Sequence, residues 1–161
     1  MPVSAGAAGQ LAGIARHKVS RGPMETLQRA RVTPDMGLEG DCRGPVPSGK
    51  KGNRQITLIE AENWAWALQE LGGDADGLVW SDRRANLLVS GIRLPRQPGA
   101  VIAIGAGLRI EVRCECDPCS RMDALREGLR AALTPDWRGG VCGRVLSEGE
   151  IAVGDEVRIE Q

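Results

Sequence analysis

Short β-rich segments separated by glycine and proline are the feature that most restricts how this chain can fold. The sequence holds 22 glycines and nine prolines in 161 residues, and runs rich in Leu, Ile, Val and Thr lie between them. Many short strands with few helices are typical of a small, mainly antiparallel β-barrel with helical covers. The predicted strands lie around residues 11–16, 26–32, 55–59, 86–89, 101–104, 108–112, 141–146 and 156–159.

Glycine-containing turns predict two hairpins and the end of a first helix. Residues 101–112 form one hairpin, and residues 151–159 form a second, tight hairpin that closes the domain. The helix covers residues 60–71, and a left-handed cap at Gly72 and Gly73 ends it.

A second helix is predicted near the middle of the C-terminal half. It starts near Pro118 and ends before Pro135, and Gly128 divides it. The apolar residues that recur on one face of this helix are Met122, Leu125, Leu129 and Leu133.

The composition excludes several classes of function. The 21 basic and 21 acidic residues cancel, which argues against a nucleic-acid clamp. The chain has no Phe, no Tyr and four Trp, too few aromatics for a platform that stacks RNA bases. No apolar run approaches the roughly 20 residues that cross a bilayer, and the first residues do not resemble a signal peptide. We therefore expect a cytoplasmic protein without nucleic-acid or membrane partners.

The length of the chain predicts one domain. We expect a flexible N-terminus at residues 1–10 and a single domain over residues 11–161.

The basic residues are eighteen arginines and only three lysines. Arginine favours planar, bidentate recognition of anions, whereas lysine is needed for Schiff-base chemistry. The sequence thus favours an anion-binding protein and shows no evident pyridoxal phosphate site.

A cysteine-rich segment at a predicted strand–helix junction is the strongest chemical signal. Five cysteines in a chain without an export signal indicate reduced thiols. In the segment Cys114–Arg121, Asp117 suits an N-cap, which would place Cys119 in the first helical turn, where backbone N–H groups favour a thiolate. Cys119 is therefore a candidate nucleophile, sulfur carrier or metal ligand, the alternative being a buried apolar cysteine.

The same segment has part of the ligand set for zinc or an iron–sulfur cluster. A fourth ligand would have to come from Cys42, Cys142 or His17, all distant in sequence, so such a site is the weaker interpretation. His17 is the only histidine, and we expect it at the surface.

Cationic residues also cluster in loops. The long segment between residues 33 and 54 carries Asp41 and Arg43, and further arginines flank predicted strands. Scattered arginines are usually surface residues, but several that converge on one cavity would bind a small anion such as a phosphorylated cofactor.

Six segments occur in a fixed order along the chain: Gly37-Leu38-Glu39-Gly40-Asp41, Arg54 to Ile59, Arg84 with Asn86-Leu87-Leu88, Cys116-Asp117-Pro118-Cys119, Arg138-Gly139-Gly140-Val141, and Gly149 through Gly154-Asp155. Taken in this order, they resemble the MOSC domain, the module named after the C-terminal domain of molybdenum cofactor sulfurases. The resemblance covers nearly the whole chain from Leu11 onward.

The resemblance implies a mainly β fold with a few helices, a barrel of the pyruvate-kinase β-barrel type. It also implies that Cys119 either carries activated sulfur or binds molybdenum. The residues that it places around the pterin and phosphate of the molybdenum cofactor are Asp41, Arg43, Arg84, Asn86, Arg138 and Arg144. Cys42 stands where family members commonly have arginine, and Arg43 follows it.

Three functions are compatible with this resemblance. The first is a sulfur-transfer domain associated with the molybdenum cofactor or a molybdoenzyme, in which Cys119 holds a persulfide supplied by a separate donor such as a cysteine desulfurase. The second is a small molybdenum-dependent oxidoreductase for N-hydroxylated compounds, with Cys119 as the molybdenum ligand. The third is a binding module without catalytic activity, whose cysteines belong to the core.

Overall fold

The computed structural model describes residues 8–72 and 77–160, and within them the chain forms eleven strands and three α-helices. The mainly β fold expected from the sequence is confirmed. The strands are β1 Gly9–Arg16, β2 Glu25–Leu27, β3 Arg29–Thr33, β4 Gly37–Leu38, β5 Ile56–Glu60, β6 Leu87–Ser90, β7 Val101–Ile104, β8 Leu108–Glu115, β9 Val141–Ser147, β10 Gly149–Ala152 and β11 Glu156–Glu160. The helices are α1 Ala61–Leu71, α2 Ser120–Leu125 and α3 Leu129–Leu133, with 3₁₀ turns at Trp80–Arg83 and Pro135–Trp137.

Seven of these strands close into a barrel in the order β1, β6, β5, β9, β8, β7 and β11, and β11 pairs with β1 to complete the ring. Neighbouring strands of the barrel are antiparallel except β5 and β6, which run parallel. The predicted hairpin at residues 101–112 is present as β7 and β8, with Ile104 paired to Leu108.

The second predicted hairpin, over residues 151–159, is wrong. The chain does turn there, since the Asp155 carboxylate accepts a hydrogen bond from the Ala152 N–H at 2.9 Å. However, β10 pairs with β3 in a separate three-stranded sheet, whereas β11 joins the barrel. Leu11 of β1 exchanges backbone hydrogen bonds with Gly154 and Asp155. The turn between β10 and β11 is therefore bonded to β1, and β10 and β11 lie in different sheets.

The single strand predicted over residues 26–32 is likewise two strands. β2 pairs with β1 in the large sheet, and β3 pairs with β10 and β4 in the small one. Between them, the carbonyl of Gln28 accepts a hydrogen bond from Val153.

The helices cover one side of the barrel. Gly128, with φ of +92°, separates α2 from α3, as the sequence predicts. Leu125 does not belong to the apolar face, because its side chain is 41% exposed, whereas Met122, Leu129 and Leu133 are buried. At the end of α1, Gly72 has φ of +76° and ψ of −166°, which is not the predicted left-handed cap, and Gly73 lies outside the described residues.

The core is aliphatic, as the lack of Phe and Tyr requires. Leu, Ile and Val side chains fill the barrel, and a second apolar cluster around Trp64 and Met122 lies beneath the helices. Each fully buried aliphatic side chain contributes roughly 1.5–3 kcal/mol of transfer free energy. The barrel is therefore a packed frame, and its end loops carry the polar chemistry.

The long segment between β4 and β5 is held against this frame by a buried amide. The Gln55 side chain donates hydrogen bonds to the carbonyls of Pro34 and Gly44, at 2.7 and 3.1 Å, and accepts one from Val145 N–H at 2.8 Å. These bonds fix the loop that contains Asp41 and Arg43.

The first strand begins close to the predicted start of the domain at residue 11. β1 begins at Gly9, two residues before the expected domain start, and residues 1–7 of the expected flexible N-terminus lie outside the described residues. None of the helices in residues 8–72 and 77–160 is long and apolar enough to cross a membrane.

Candidate functional site

A cavity of about 490 Å³ opens at one end of the barrel. Its walls come from the end of β1, the loop after β4, the start of β5, the segment before β6 and the segment between β8 and α2. The residues that line it are His17, Ser20, Arg21, Asp41, Arg43, Arg54, Thr57, Arg83, Arg84, Asn86, Cys116, Asp117, Cys119, Arg121 and Met122.

The electrostatic character of this cavity is cationic, since its lining includes six arginines and two aspartates. The pKa of Arg84 is lowered by burial and by the positive charges of Arg121 and Arg43. All three guanidinium groups line the same cavity. A bound anion would relieve that repulsion and form charge-assisted hydrogen bonds.

Asp41 organises the loop on one wall. Its carboxylate accepts hydrogen bonds from the backbone N–H of His17 at 3.1 Å and of Arg43 at 3.2 Å. Both oxygens are thus committed to the backbone, so Asp41 positions Arg43 while lining the cavity.

His17 is buried, with 6% exposure, so the expectation of a surface residue is wrong. Its Nδ1 lies 3.2 Å from Asp41 Oδ1, without hydrogen-bond alignment. Burial lowers the pKa of His17; Asp41 opposes this shift, and nearby arginines such as Arg84 reinforce it. The imidazole is therefore held neutral beside the cationic wall.

Asn86 ties three barrel strands together at the cavity floor. Its Oδ1 accepts a hydrogen bond from Thr57 N–H at 3.0 Å, and its Nδ2 donates to the Ala15 carbonyl at 3.2 Å. The preceding Arg84 has a left-handed backbone with φ of +69°, and its guanidinium donates to the Gly22 carbonyl at 2.8 Å. Asn86 thus fixes the segment before β6, from which Arg84 projects.

Cys119 is exposed and lines the cavity. It does not lie in the first helical turn: α2 begins at Ser120, and Cys119 is its extended N-cap, with φ of −118° and ψ of −179°. The predicted N-cap at Asp117 is therefore wrong, because Pro118 and Cys119 continue the non-helical segment that follows β8. Cys119 therefore does not occupy the first-turn position from which the sequence predicts a thiolate.

The cysteine sulfur in direct contact with a guanidinium is instead that of Cys116. Cys116 Sγ accepts a hydrogen bond from the buried guanidinium of Arg83 at 3.4 Å. A hydrogen bond from the Cys142 thiol, together with Arg83, lowers the pKa of Cys116 to about 6. The same contact and burial raise the pKa of Cys142, which therefore remains a protonated donor.

Glycine at position 139 permits this arrangement. A Cβ there would lie 2.6 Å from the Cys116 carbonyl oxygen and 3.1 Å from Arg83 Nη2. The backbone of Cys116 is further held by its N–H donating to the Gly140 carbonyl at 2.8 Å. The two consecutive glycines thus allow the β9 side of the barrel to approach Cys116 closely.

Two predicted cofactor-binding residues lie elsewhere. Arg138 donates to Glu70 at 2.9 Å and stacks 4.2 Å from the ring centre of Trp66. Arg144 donates to the Lys51 carbonyl at 2.7 Å. Neither lines the cavity.

Of the predicted site residues, the cavity thus brings together Cys119, Asp41, Arg43, Arg84 and Asn86. The sequence interpretation did not select Arg54, Arg83, Arg121 or Cys116. Two sequence features point to some of these residues: the paired arginines before β6 and the Cys-x-x-Cys spacing. Among the described residues, no group of three or more His, Cys, Asp or Glu side chains is placed to hold a metal ion.

A second, more open cavity of about 340 Å³ adjoins the first through Arg43 and Arg54, which line both. Lys50 and the apolar side chains of Pro45 and Val46 also line it.

This combination of fold and site defines a class: a small closed β-barrel with a cationic, thiol-bearing cavity at one end. The family model described as "MOSC domain" matches residues 18–158, so the chain belongs to the MOSC domain family. The resemblance drawn from the sequence is thereby confirmed.

Solved structures agree with this fold. YuaD from Bacillus subtilis superposes with a TM-score of 0.77 at 17% identity, over 95% of this chain and 96% of that one. YiiM from Escherichia coli gives 0.69 at 15% identity over 95% and 70%. YiiM from Geobacillus stearothermophilus gives 0.62 at 19% identity over 95% and 75%. A search of curated proteins finds no significant match.

Proposed function

We propose that this MOSC domain is a sulfur-transfer protein associated with the molybdenum cofactor, and that Cys119 carries the transferred sulfur as a persulfide. The observation that carries the proposal is the exposed thiol of Cys119 on the wall of a cavity lined by six arginines. A reachable sulfur and an anion-binding wall then share one space.

The lining residues fit a phosphorylated, anionic cofactor. Arg43, Arg84 and Arg121 repel one another in the protein alone, and their donors suit the oxygens of a phosphate group. When bound, the cofactor would supply a molybdenum centre that accepts soft sulfur ligands. The protein's part is to bind the anion through these guanidiniums and to hold Cys119 beside it.

Sulfur would enter from a separate persulfide donor, such as a cysteine desulfurase. The Cys119 thiol gives up its proton as its sulfur attacks the outer sulfur of the donor persulfide, the S–S bond of the donor breaks, and the donor leaves as its thiol. One proton moves to the departing donor sulfur, and Cys119 gains the outer sulfur without any net change of oxidation state.

The same exposed thiol supports a second candidate function. A soft sulfur beside the cationic cavity also suits a permanent ligand for molybdenum in an oxidoreductase that reduces N-hydroxylated compounds. The two functions differ in what Cys119 holds in the isolated protein, sulfane sulfur or metal.

Sulfur uptake distinguishes these functions. Wild-type protein, Cys119→Ser and the control Cys114→Ser are incubated with inorganic polysulfide, desalted, and assayed for cyanide-releasable sulfur and molybdenum. Cys114 is the matched control because it lies on β8 outside the lining of the cavity. Immediately after desalting we expect up to one sulfur per chain in the wild type and the control, and none in Cys119→Ser.

Equal sulfur in Cys119→Ser and wild type would contradict the proposal. Molybdenum near one atom per chain, lost only in Cys119→Ser and without releasable sulfur, would support the oxidoreductase. Loss of stability in every cysteine variant without loss of either ligand would indicate a binding module.

A further inference from the structure

A buried arginine beside Cys116 is not explained by the proposed role of Cys119. Arg83 is only 7% exposed, and its Nε donates to the Gly139 carbonyl at 3.1 Å. Its Nη2 donates to the carbonyl of Cys116 at 2.8 Å and contacts Cys116 Sγ at 3.4 Å. Within residues 8–72 and 77–160, no carboxylate forms an ion pair with Arg83.

A buried cation without a carboxylate partner is costly, and the Cys116 sulfur is the acidic group that Arg83 contacts. Cys142 contributes from the other side. It is buried on the neighbouring strand β9, and its thiol also lowers the pKa of Cys116. Arg83 and Cys142 together therefore favour the ionised form of the Cys116 sulfur.

This thiolate shares the cavity with Cys119. Both residues line it, and only Asp117 and Pro118 separate them in the chain. Cys-x-x-Cys spacing is the one that dithiol–disulfide proteins use to close a disulfide between a low-pKa thiol and its partner. By contrast, Cys114 does not line the cavity, and its sulfur lies 4.0 Å from the Asn53 carbonyl oxygen.

We propose that Cys116 is the resolving nucleophile of this site, which attacks a persulfide on Cys119 and releases its outer sulfur as hydrosulfide. This inference rests on the proposed persulfide function of Cys119. It adds a reductive step to that function, so the sulfur leaves at the oxidation level of sulfide.

The resolving step exchanges one S–S bond for another. The Cys116 thiolate attacks Sγ of Cys119, a bond forms between the two cysteine sulfurs, and the bond from Cys119 Sγ to the outer sulfur breaks. The electron pair of that broken bond leaves on the outer sulfur as HS⁻, which keeps its proton. The two cysteines are oxidised to a disulfide, and the outer sulfur is reduced. A small-molecule or protein dithiol then reduces the disulfide and resets the site.

The arginines of the cavity suit this product. Hydrosulfide is an anion, and Arg54, Arg84 and Arg121 line the space into which it would be released. The leaving group is thus favoured electrostatically, and it is retained near the place where the proposed cofactor would bind.

The test uses the full chain in a Cys114→Ser background. Trypsin cleaves after Arg113 and Arg121, so the peptide of residues 114–121 then contains Cys116 and Cys119 as its only two cysteines. Protein is loaded with inorganic polysulfide without air or reductant and desalted. Hydrosulfide release is followed over time, and the peptide is analysed by mass spectrometry after alkylation.

We expect the peptide first to carry one additional sulfur and then to become a disulfide two hydrogen atoms lighter than the dithiol, with one hydrosulfide released. Adding Cys116→Ser should leave the extra sulfur on Cys119 and slow hydrosulfide release by about tenfold or more. Equal release with and without Cys116 would overturn the inference while leaving the proposed persulfide intact. If Cys119 gains no sulfur in either protein, the proposed function itself fails.

Arg83→Gln provides a second variant that retains both cysteines. The pH at which hydrosulfide release is half-maximal should rise from about 6 toward the ordinary thiol value of 9. An unchanged pH profile would contradict the role of Arg83, even if the variant is less stable than the wild type.

Discussion

Replacing Cys116 with serine should destabilise the protein by an amount that depends on pH. The pKa of Cys116 is about 6 in the folded protein, whereas an ordinary thiol has a pKa of 9.0. Between these values the unfolded chain holds a proton that the folded protein has released. The free energy of unfolding of the wild type therefore rises with pH from about 6 to 9.

The magnitude follows from the two pKa values. Each tenfold difference in proton affinity corresponds to about 1.4 kcal/mol, so the full contribution has an upper limit of about 4 kcal/mol near pH 9. It is lost as the pH falls through the folded-state pKa of Cys116. Above about pH 9 the raised pKa of Cys142 acts in the opposite direction, because the folded protein keeps a proton that the unfolded chain loses.

Urea denaturation followed by tryptophan fluorescence, with a phosphine reductant present, measures this difference. We expect wild type and Cys116→Ser to be similar at about pH 5.5 and to differ by up to about 3 kcal/mol at about pH 8.5. Cys114→Ser should show no pH-dependent difference. A constant difference between wild type and Cys116→Ser across this range would refute the buried thiolate.

Three further predictions follow from individual contacts. The alkylation rate of Cys116 in wild-type protein should have its midpoint near pH 6, measured peptide by peptide with iodoacetamide, and an ordinary thiol midpoint would contradict the contact with Arg83. Arg84→Ala should weaken binding of inorganic pyrophosphate by about 1.5–3 kcal/mol in calorimetry, whereas Arg138→Ala, outside the cavity, should leave it unchanged. Gly139→Ala should lower the free energy of unfolding by about 1–3 kcal/mol in urea titrations, since its Cβ would meet the Cys116 carbonyl at 2.6 Å; an unaffected midpoint would show that the contact relaxes freely.

Local sequence patterns predicted most of the strands but not all of their partners. Alternation and glycine turns identify β7 and β8, whose pairing depends on residues close in sequence. β10 and β11 are also adjacent in sequence, yet β10 pairs with β3, more than a hundred residues earlier. Such a choice depends on contacts that a turn signal does not encode.

The site was predicted in part for the same reason. Cys119 and Arg84 line the cavity because Cys119 follows β8 and Arg84 precedes β6 at one end of the barrel, whereas Arg43 reaches it from the long loop after β4. Arg138 also flanks a strand, but its side chain stacks on Trp66 on the helical side. The position of a residue relative to a strand predicts the end of the barrel at which it lies. The direction of a long side chain depends on the residues that pack around it, which are remote in sequence.

The thiolate at Cys116 was not predicted because its causes are remote in sequence. Arg83 lies 33 residues before Cys116, and Cys142 comes from the neighbouring strand β9. The sequence predicts an ionised sulfur in the Cys-x-x-Cys segment, but it assigns the charge to Cys119 in the first turn of a helix. In the structure that helix begins one residue after Cys119. Only the folded arrangement distinguishes the two cysteines.

The most direct test of the central claim is the mass of peptide 114–121 from cells lysed in the presence of an alkylating reagent, which traps thiols and persulfides as they occur in vivo. We expect a fraction with one extra sulfur that fragmentation assigns to Cys119, and its absence from Cys119→Ser. If the extra sulfur is missing, or lies only on Cys114, then Cys119 is not a sulfur carrier.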